Sequence, residues 1–428
     1  MANAVPSSTL ARVLAGIAAS FALAAATLVS QLAAPAAAQE PIKIGFGMAL
    51  TGPLAPNGKS ALLGMRIWEE DINAKGGLLG RKVQLVYLDD QSAPANVPRI
   101  YTKLHDVDKV DLIVSGYASN MIAPAMPIAM QRGKVFPALF GTGINDQFNY
   151  DKYFAMIPTG PDPKPAFTKP WFDVAMAQNP KPQTISLTAA DAEFGRNVCE
   201  GARQNATAAG LKIVYDKTYP PGTTDFAPVV RAVQATNPDI VVFCSYPLDS
   251  VQIVRAVNEI GYKPKMIGGA MVGLQATVFK RQLGPMLNGI TNYETWVPAK
   301  TMEYPGVNEF LAKYQARAGA EGVDPLGYYL GTWGYAYAQL IEQAIAGAKS
   351  LDDNKLAEFF RANTFKTIMG DVKFGAKGEW VESRFVVVQY HGIKSDALDQ
   401  FKGMETQTII GPARFKTGEV IYPYEKAK

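Results

Sequence analysis

The chain has 428 residues, 48% of them hydrophobic and 19% charged, with a formal net charge of +4. That length exceeds one ordinary domain and suits two or three, and so small a charge excess, with no basic run, argues against a nucleic-acid partner. Its two cysteines, Cys199 and Cys244, exclude a disulfide-built scaffold; an oxidising compartment would permit one bridge between them, which the sequence leaves open.

Arg12 precedes an alanine-rich apolar run ending in Ala36-Ala37-Ala38-Gln39. A basic start, an apolar middle and a small-residue cleavage site read as a secretory signal over residues 1–38, cut after Ala38; the competing reading is a membrane anchor. Loss of Arg12 with the signal leaves a formal charge of +3.

Alternation over 42–46 predicts a strand, the Pro/Gly-rich stretch TGPLAPNG a loop, and Leu62, Met65, Trp68 and Ile72 a helix over 61–74 that Gly76-Gly77 ends. The cycle repeats with strands over 83–88, 111–114 and 135–139 and helices near 96–107 and 121–131. After the Pro-rich bridge 157–163 a second series follows: strands over 183–187, 212–215, 239–244 and 266–268, with helices over 194–209, 227–235 and 250–260. Alternating strands and helices of this length predict parallel pairing, so the fold class expected is α/β, two doubly wound lobes in tandem. A late helix over 331–348 and a late strand over 385–390 imply that the chain returns to each lobe, giving three connections that act as a hinge. The division expected is a first lobe from 41–157 and 297–367, a second from 158–296 and 368–395, and a C-terminal strap over 396–428.

Doubly wound sheets bind ligands beyond the carboxyl ends of their strands. Here that rule gathers the loops 51–58, 116–120, 140–143, 189–194, 245–248 and 269–274 into one cleft. These loops carry hydroxyl, amide and aromatic groups: Asn57, Tyr117, Ser119, Asn120, Phe140, Thr142, Phe194, Tyr246 and Met271. Donors at one end with apolar rings around them suit a small organic anion. For Ser119 and Asn120 helix capping is the competing role, and for Tyr117 and Tyr246 it is packing between lobes.

No catalytic constellation stands out. His105 and His391 read as surface residues, Asp89-Asp90 as a solvated loop, and neither a phosphate-binding loop nor a dinucleotide fingerprint is present. Zinc ligation by two distant cysteines and two distant histidines is improbable. The chain is therefore read as a binding protein without cofactor or metal, not an enzyme.

The segments IKIGFGMALTGPLAPNGKSALLGMRIWEEDINAKGGLLGRKVQLVYLDD, SGYASNMIAPAMPIA, DAEFGRN and TIMGDVKFGAKGEW resemble the periplasmic solute-binding proteins of the branched-chain amino acid type, which feed ABC importers. The resemblance implies the type I periplasmic binding protein fold, a periplasmic location, an inner-membrane permease as partner and a monomer. It also implies that Ser119 and Thr142 hold a ligand carboxylate, that Tyr117 and Ala118 form wall, and that Phe194 and Tyr246 supply aromatic contacts. Amino-acid binders of this type carry an acidic residue for the substrate ammonium where this chain reads GGAMVGLQ, with Ala270 or Met271 in its place. A buried ammonium without a counter-charge is costly. The ligand expected is thus a small carboxylate without an α-amino group, aromatic or branched; amino acid or amide uptake is the alternative, and a periplasmic sensor serving a receptor kinase is a further reading.

Overall fold

The computed structural model describes Met1 and residues 39–428; the signal segment and its cleavage site, read from residues 1–38, lie almost wholly outside them. The first lobe opens with β1 (Ile42–Met48), whose side chains Ile42, Ile44, Phe46 and Met48 are fully buried, and α1 (Ala55–Ala74). It continues with β2 (Val83–Asp89), α2 (Val97–Asp106), β3 (Leu112–Ile113), α3 (Ser119–Ile122), α4 (Met126–Gln131), β4 (Phe136–Ala138), α5 (Asn145–Phe148) and β5 (Tyr153–Ala155). β2, β1 and β3 pair in parallel, β4 and β5 pair in parallel, and Ser115 N donates to Pro137 O at 3.0 Å between the two groups. The single helix expected near 121–131 is instead α3 and α4 separated by a 3-10 turn, Ala123–Ala125. Pro124 and Pro127 cause this break, because neither can donate to the helix ladder.

The second lobe follows as α6 (Pro163–Met176), β6 (Thr184–Ala190), α7 (Glu193–Ala208), β7 (Lys212–Tyr219), α8 (Ala227–Ala235), β8 (Ile240–Ser245), α9 (Pro247–Ile260), β9 (Met266–Met271), α10 (Thr277–Leu283) and β10 (Thr291–Glu294). The chain then returns to the first lobe with α11 (Val307–Glu321), α12 (Leu330–Ala348), α13 (Asp353–Ala362), β11 (Thr364–Thr367) and β12 (Gly370–Lys373). It re-enters the second lobe with β13 (Val386–Tyr390) and β14 (Gln407–Gly411). A Cβ on Gly64 would stand 2.2 Å from the Gly331 carbonyl oxygen, and one on Gly334 2.3 Å from that of Ala61. Glycine at both positions is what lets α1 and α12 touch backbone to backbone.

The second sheet has the order β14-β13-β10-β9-β8-β6-β7. It is parallel except at β13 and β14, a departure from the all-parallel expectation. Direction follows from connectivity: β10 runs out toward the hinge and β13 runs in from it, so Glu294 faces Val386 and the pair must be antiparallel. The strap supplies β14 as the sheet's edge. Cys199 on α7 and Cys244 on β8 form a disulfide with Cα atoms 6.0 Å apart, tying the helix to the middle of the sheet.

The chain passes between the lobes three times among the described residues. The last passage is later than the sequence division at residue 368 implied. Gly378 O accepts from Ala155 N at 2.8 Å, Trp380 Nε1 donates to Ala155 O at 3.0 Å, and Phe374 packs edge-on to Phe154. Residues 370–380 therefore border β5 of the first lobe, drawn there by the aromatic cluster of Phe154, Phe360, Phe365 and Phe374.

Glu379, on this turn, is 3% exposed, and its Oε2 has no hydrogen-bond partner among the described residues. Burial, reinforced by nearby Asp146, lifts its carboxyl well above the usual range, offset only in part by the Thr159 hydroxyl and Lys377. A carboxyl raised in this way lends its stability below the unfolded value and loses it as pH rises toward the folded one. Glu379→Gln is therefore expected to melt above the wild type at about pH 8 and level with it at about pH 4. Calorimetry at both values checks this; an equal gap at the two would assign the difference to packing.

Candidate functional site

The loop 49–54 that leads into α1 is held by Asp89, whose carboxylate accepts from Leu50 N at 3.0 Å, Thr51 N at 3.2 Å and Thr51 Oγ1 at 2.7 Å. Asp89 thereby sets the start of α1 and hence Asn57, while Asp90, expected in a solvated loop, is 1% exposed and accepts from Ser92 N at 2.8 Å. Asn57, 2% exposed, donates from Nδ2 to the Tyr117 hydroxyl at 2.9 Å, one layer behind the cleft wall.

After β3 the chain turns at Ala118, with φ 87° and ψ 138°. A residue bearing a Cβ is held there at a cost of about 1–3 kcal/mol, strain of the kind found at binding sites. Ser119 then begins α3 but caps nothing: no side-chain hydrogen bond caps this four-residue helix. The Ser119 Oγ instead accepts from Thr142 N at 3.1 Å, which ties the two hydroxyl-bearing loops together. Thr142 Oγ1 is buried and has no partner among the described residues.

Seven of the eleven residues singled out from the sequence line one cavity between the lobes: Tyr117, Ala118, Ser119, Phe140 and Thr142 from the first, Phe194 and Tyr246 from the second. Four more complete its wall: Ile157, Val272, Tyr293 and Tyr329. The cavity volume is ≈ 20 Å³, room for about one water. It is small and ringed by aromatic side chains: Phe140 packs 5.6 Å from Tyr329 and Phe194 5.7 Å from Tyr246.

Four of the residues singled out lie off the cavity. Asn57 stands behind Tyr117, and Asn120 is not part of the lining, its Oδ1 buried and unpartnered among the described residues. Ala270 and Met271 are buried within β9, where Met271 N donates to Asn292 Oδ1 at 2.9 Å and Met271 O accepts from Asn292 Nδ2 at 3.0 Å. The residue of that loop facing the cavity is Val272, the first after the strand ends.

Among the described residues no ionisable acid or base other than tyrosine lines the cavity. Glu294 is next to Tyr293 in sequence but is committed elsewhere, 3.0 Å from Lys280 Nζ and 3.2 Å from the Tyr390 hydroxyl. Burial pushes the Tyr117 phenol up to about 12, and burial likewise raises Tyr246, Tyr293 and Tyr329. All four stay neutral at physiological pH and keep their hydroxyl protons to donate.

The lobes meet beyond the cavity as well. Asn197 Nδ2 on α7 donates to Thr142 O at 2.9 Å, Gln147 Nε2 donates to Glu193 Oε1 at 3.2 Å, and Lys164 lies 3.5 Å from Asp146. The cleft is thus closed. Asn197 is the last residue of DAEFGRN, so its motif was legible in the sequence; its reach across the cleft was not.

Two α/β lobes, three connections and an enclosed cavity between them define a bilobed solute receptor. The chain belongs to the periplasmic binding protein family, which it matches over residues 41–396. It is 27% identical to the Leu/Ile/Val-binding protein of Citrobacter freundii over 364 residues, 83% of this chain and 93% of that one. In fold it is similar to the branched-chain amino acid transporter substrate-binding protein of Streptococcus pneumoniae solved with isoleucine, with TM-score 0.70, 20% identity and coverage of 90% and 100%. It is equally similar to an ABC transporter solute-binding protein of R. palustris solved with benzoate, with TM-score 0.70, 19% identity and coverage of 83% and 94%. As a member of that family the protein is a small-molecule receptor rather than an enzyme, and the family implies an extracytoplasmic place of work.

Proposed function

We propose that the chain captures a small organic carboxylate without an α-amino group, an aromatic or branched acid, and hands it to an inner-membrane permease. The observation that carries this reading is a cavity with two loop hydroxyls, Ser119 and Thr142, and no carboxylate of its own. A carboxylate ligand gains charge-assisted hydrogen bonds from such donors, the kind worth roughly twice a neutral pair. An ammonium would be desolvated among tyrosine and phenylalanine rings with no opposite charge, at a cost of several kcal/mol. The ring-lined wall favours a flat or compact body.

Closure supplies the signal to the permease. Ser119 and Thr142 belong to one lobe and Phe194, Tyr246, Val272 and Tyr293 to the other, so a ligand meets its full set of contacts only in the closed form and shifts the population toward it. Export by the N-terminal signal to the periplasm and action as a monomer complete the reading.

A thermal-shift series tests it. Benzoate, 4-hydroxybenzoate, phenylacetate and a branched fatty acid are compared with leucine and valine. At about a hundred times Kd a ligand adds about 2.7 kcal/mol of apparent stability, a clear rise in melting temperature. A rise with acids alone is expected; a rise with leucine in place of the acids would overturn the ligand class while leaving the transport role intact.

A further inference from the structure

A second concavity, ≈ 950 Å³, runs along the hinge and shares no residue with the cleft cavity. Its walls come from three places: α11, α12 and β11–β12 of the first lobe, the last passage between lobes, and Arg414 and Phe415 of the C-terminal strap. Arg384 lies on its wall. The guanidinium stands 4.3 Å from the Trp380 ring centroid and 5.6 Å from that of Tyr304. Among the described residues no carboxylate lies within 4.0 Å of it, and its buried Nη2 has no hydrogen-bond partner.

The neighbouring groups supply only part of what is missing: the Tyr304 hydroxyl and the more distant Asp371 favour the charged guanidinium without offsetting its burial. Of the carboxylates on the groove wall, Asp71 is paired with Lys313 at 2.5 Å, Asp371 with Lys366 at 2.5 Å and Glu382 with Arg414 at 3.1 Å; Glu309 is the fourth. Arg414 adds a second positive charge beside Arg384 rather than a partner. Ring stacking offsets part of the desolvation of a guanidinium, but its planar fork of donors is built for two-point contact with an anion. Phe310, Tyr335 and Phe415 line the groove with apolar surface for whatever body that anion carries.

We infer that the hinge groove is a second ligand site, taking an organic anion with a flat apolar body whose head group pairs with Arg384. The site stands on its own residues and does not depend on what the cleft binds.

The test is calorimetric titration of the purified protein with 2-naphthoate as probe. In a Ser119→Ala/Thr142→Val variant, in which the cleft is disabled, one naphthoate site is expected to remain with affinity within about twofold of the wild-type groove site. Arg384→Met is expected to weaken that site by about tenfold or more, as loss of a charged hydrogen-bond donor implies. Arg384→Lys, which keeps the charge but not the fork, should fall between. Val381→Asp, a change at an exposed position of the groove wall, should weaken it several-fold with the melting temperature unchanged, so the inference stays testable if Arg384→Met does not fold. Absence of naphthoate binding in the cleft-disabled variant, or wild-type affinity in both the Arg384→Met and Val381→Asp variants, would overturn it.

Discussion

Lys280→Met is expected to destabilise the protein by about 3–5 kcal/mol, the largest single-residue effect anticipated outside the hydrophobic core. Lys280 on α10 and Glu294 at the end of β10 lie 3.0 Å apart with side chains 8% and 3% exposed. The Tyr390 hydroxyl and, at 3.4 Å, Gln275 Nε2 also donate to the Glu294 carboxylate, and the lysine lies 5.3 Å from the Tyr390 ring centroid. Burial holds the Glu294 carboxyl above its usual range even with the lysine present, so removing the cation leaves a group that must either stay charged in an apolar site or take up a proton. Both routes cost free energy. The paired change Lys280→Met/Glu294→Leu removes both charges and is expected to recover most of the loss, since well-packed apolar replacements of a buried pair are often neutral. Urea denaturation of the three proteins checks this. A loss under about 1 kcal/mol in the single variant would mean that water reaches the pair and screens it as it does a surface bridge.

The same pair bears on the cleft. Tyr293 precedes Glu294 on β10, and strand alternation sends the two side chains to opposite faces. Anchoring Glu294 therefore fixes the register that points Tyr293 at the cavity, and it removes the nearest carboxylate on that strand from contention as an ammonium partner.

Elements with strong local patterning were legible in the sequence. The runs of β1 and β8, the helix over Met65, Trp68 and Ile72, and the long helix carrying Trp333 and Tyr337 all have the periodicity that burial on one or both faces requires. Ser119, Thr142, Tyr117, Phe194 and Tyr246 were reachable because each follows a strand within a few residues, and strand ends converge in a doubly wound lobe. What was not legible depends on long-range assembly. Tyr329 sits just ahead of α12, far in sequence from the loops it faces, and Ile157 lies in the first passage between lobes, where it reads as ordinary hinge packing. The position expected for an acidic residue was displaced by one: a single step at the end of β9 exchanges Met271, inside the sheet, for Val272, on the cavity, and side-chain alternation makes such a slip a reversal of face. The place of residues 370–380 was set by the Phe154 cluster and by hydrogen bonds to Ala155, neither of which leaves a local signature. The pairing of Cys199 with Cys244 likewise follows from where α7 lies against β8 rather than from spacing.

Thr142→Val should separate stability from binding. Thr142 Oγ1 is buried and unpartnered among the described residues, and a hydroxyl in that state costs about 1–3 kcal/mol. Valine fills the same space without that cost, so the ligand-free variant is expected to be no less stable than the wild type. Its affinity for the acid should nevertheless fall about tenfold to a hundredfold, the loss of one hydrogen bond to a charged group. Closure itself is spared, because the bond across the cleft from Asn197 uses the Thr142 carbonyl, which the substitution leaves in place. Ser119→Ala makes a different prediction: it removes a donor to the ligand and also the acceptor for Thr142 N, so affinity and stability fall together. Asn120→Ala, off the cavity, should leave affinity unchanged. Denaturation and titration on these three variants give the pattern. If Thr142→Val lost stability and kept its affinity, the threonine hydroxyl would be serving the fold through a water, and the carboxylate would have to be held by Ser119 and the tyrosines alone.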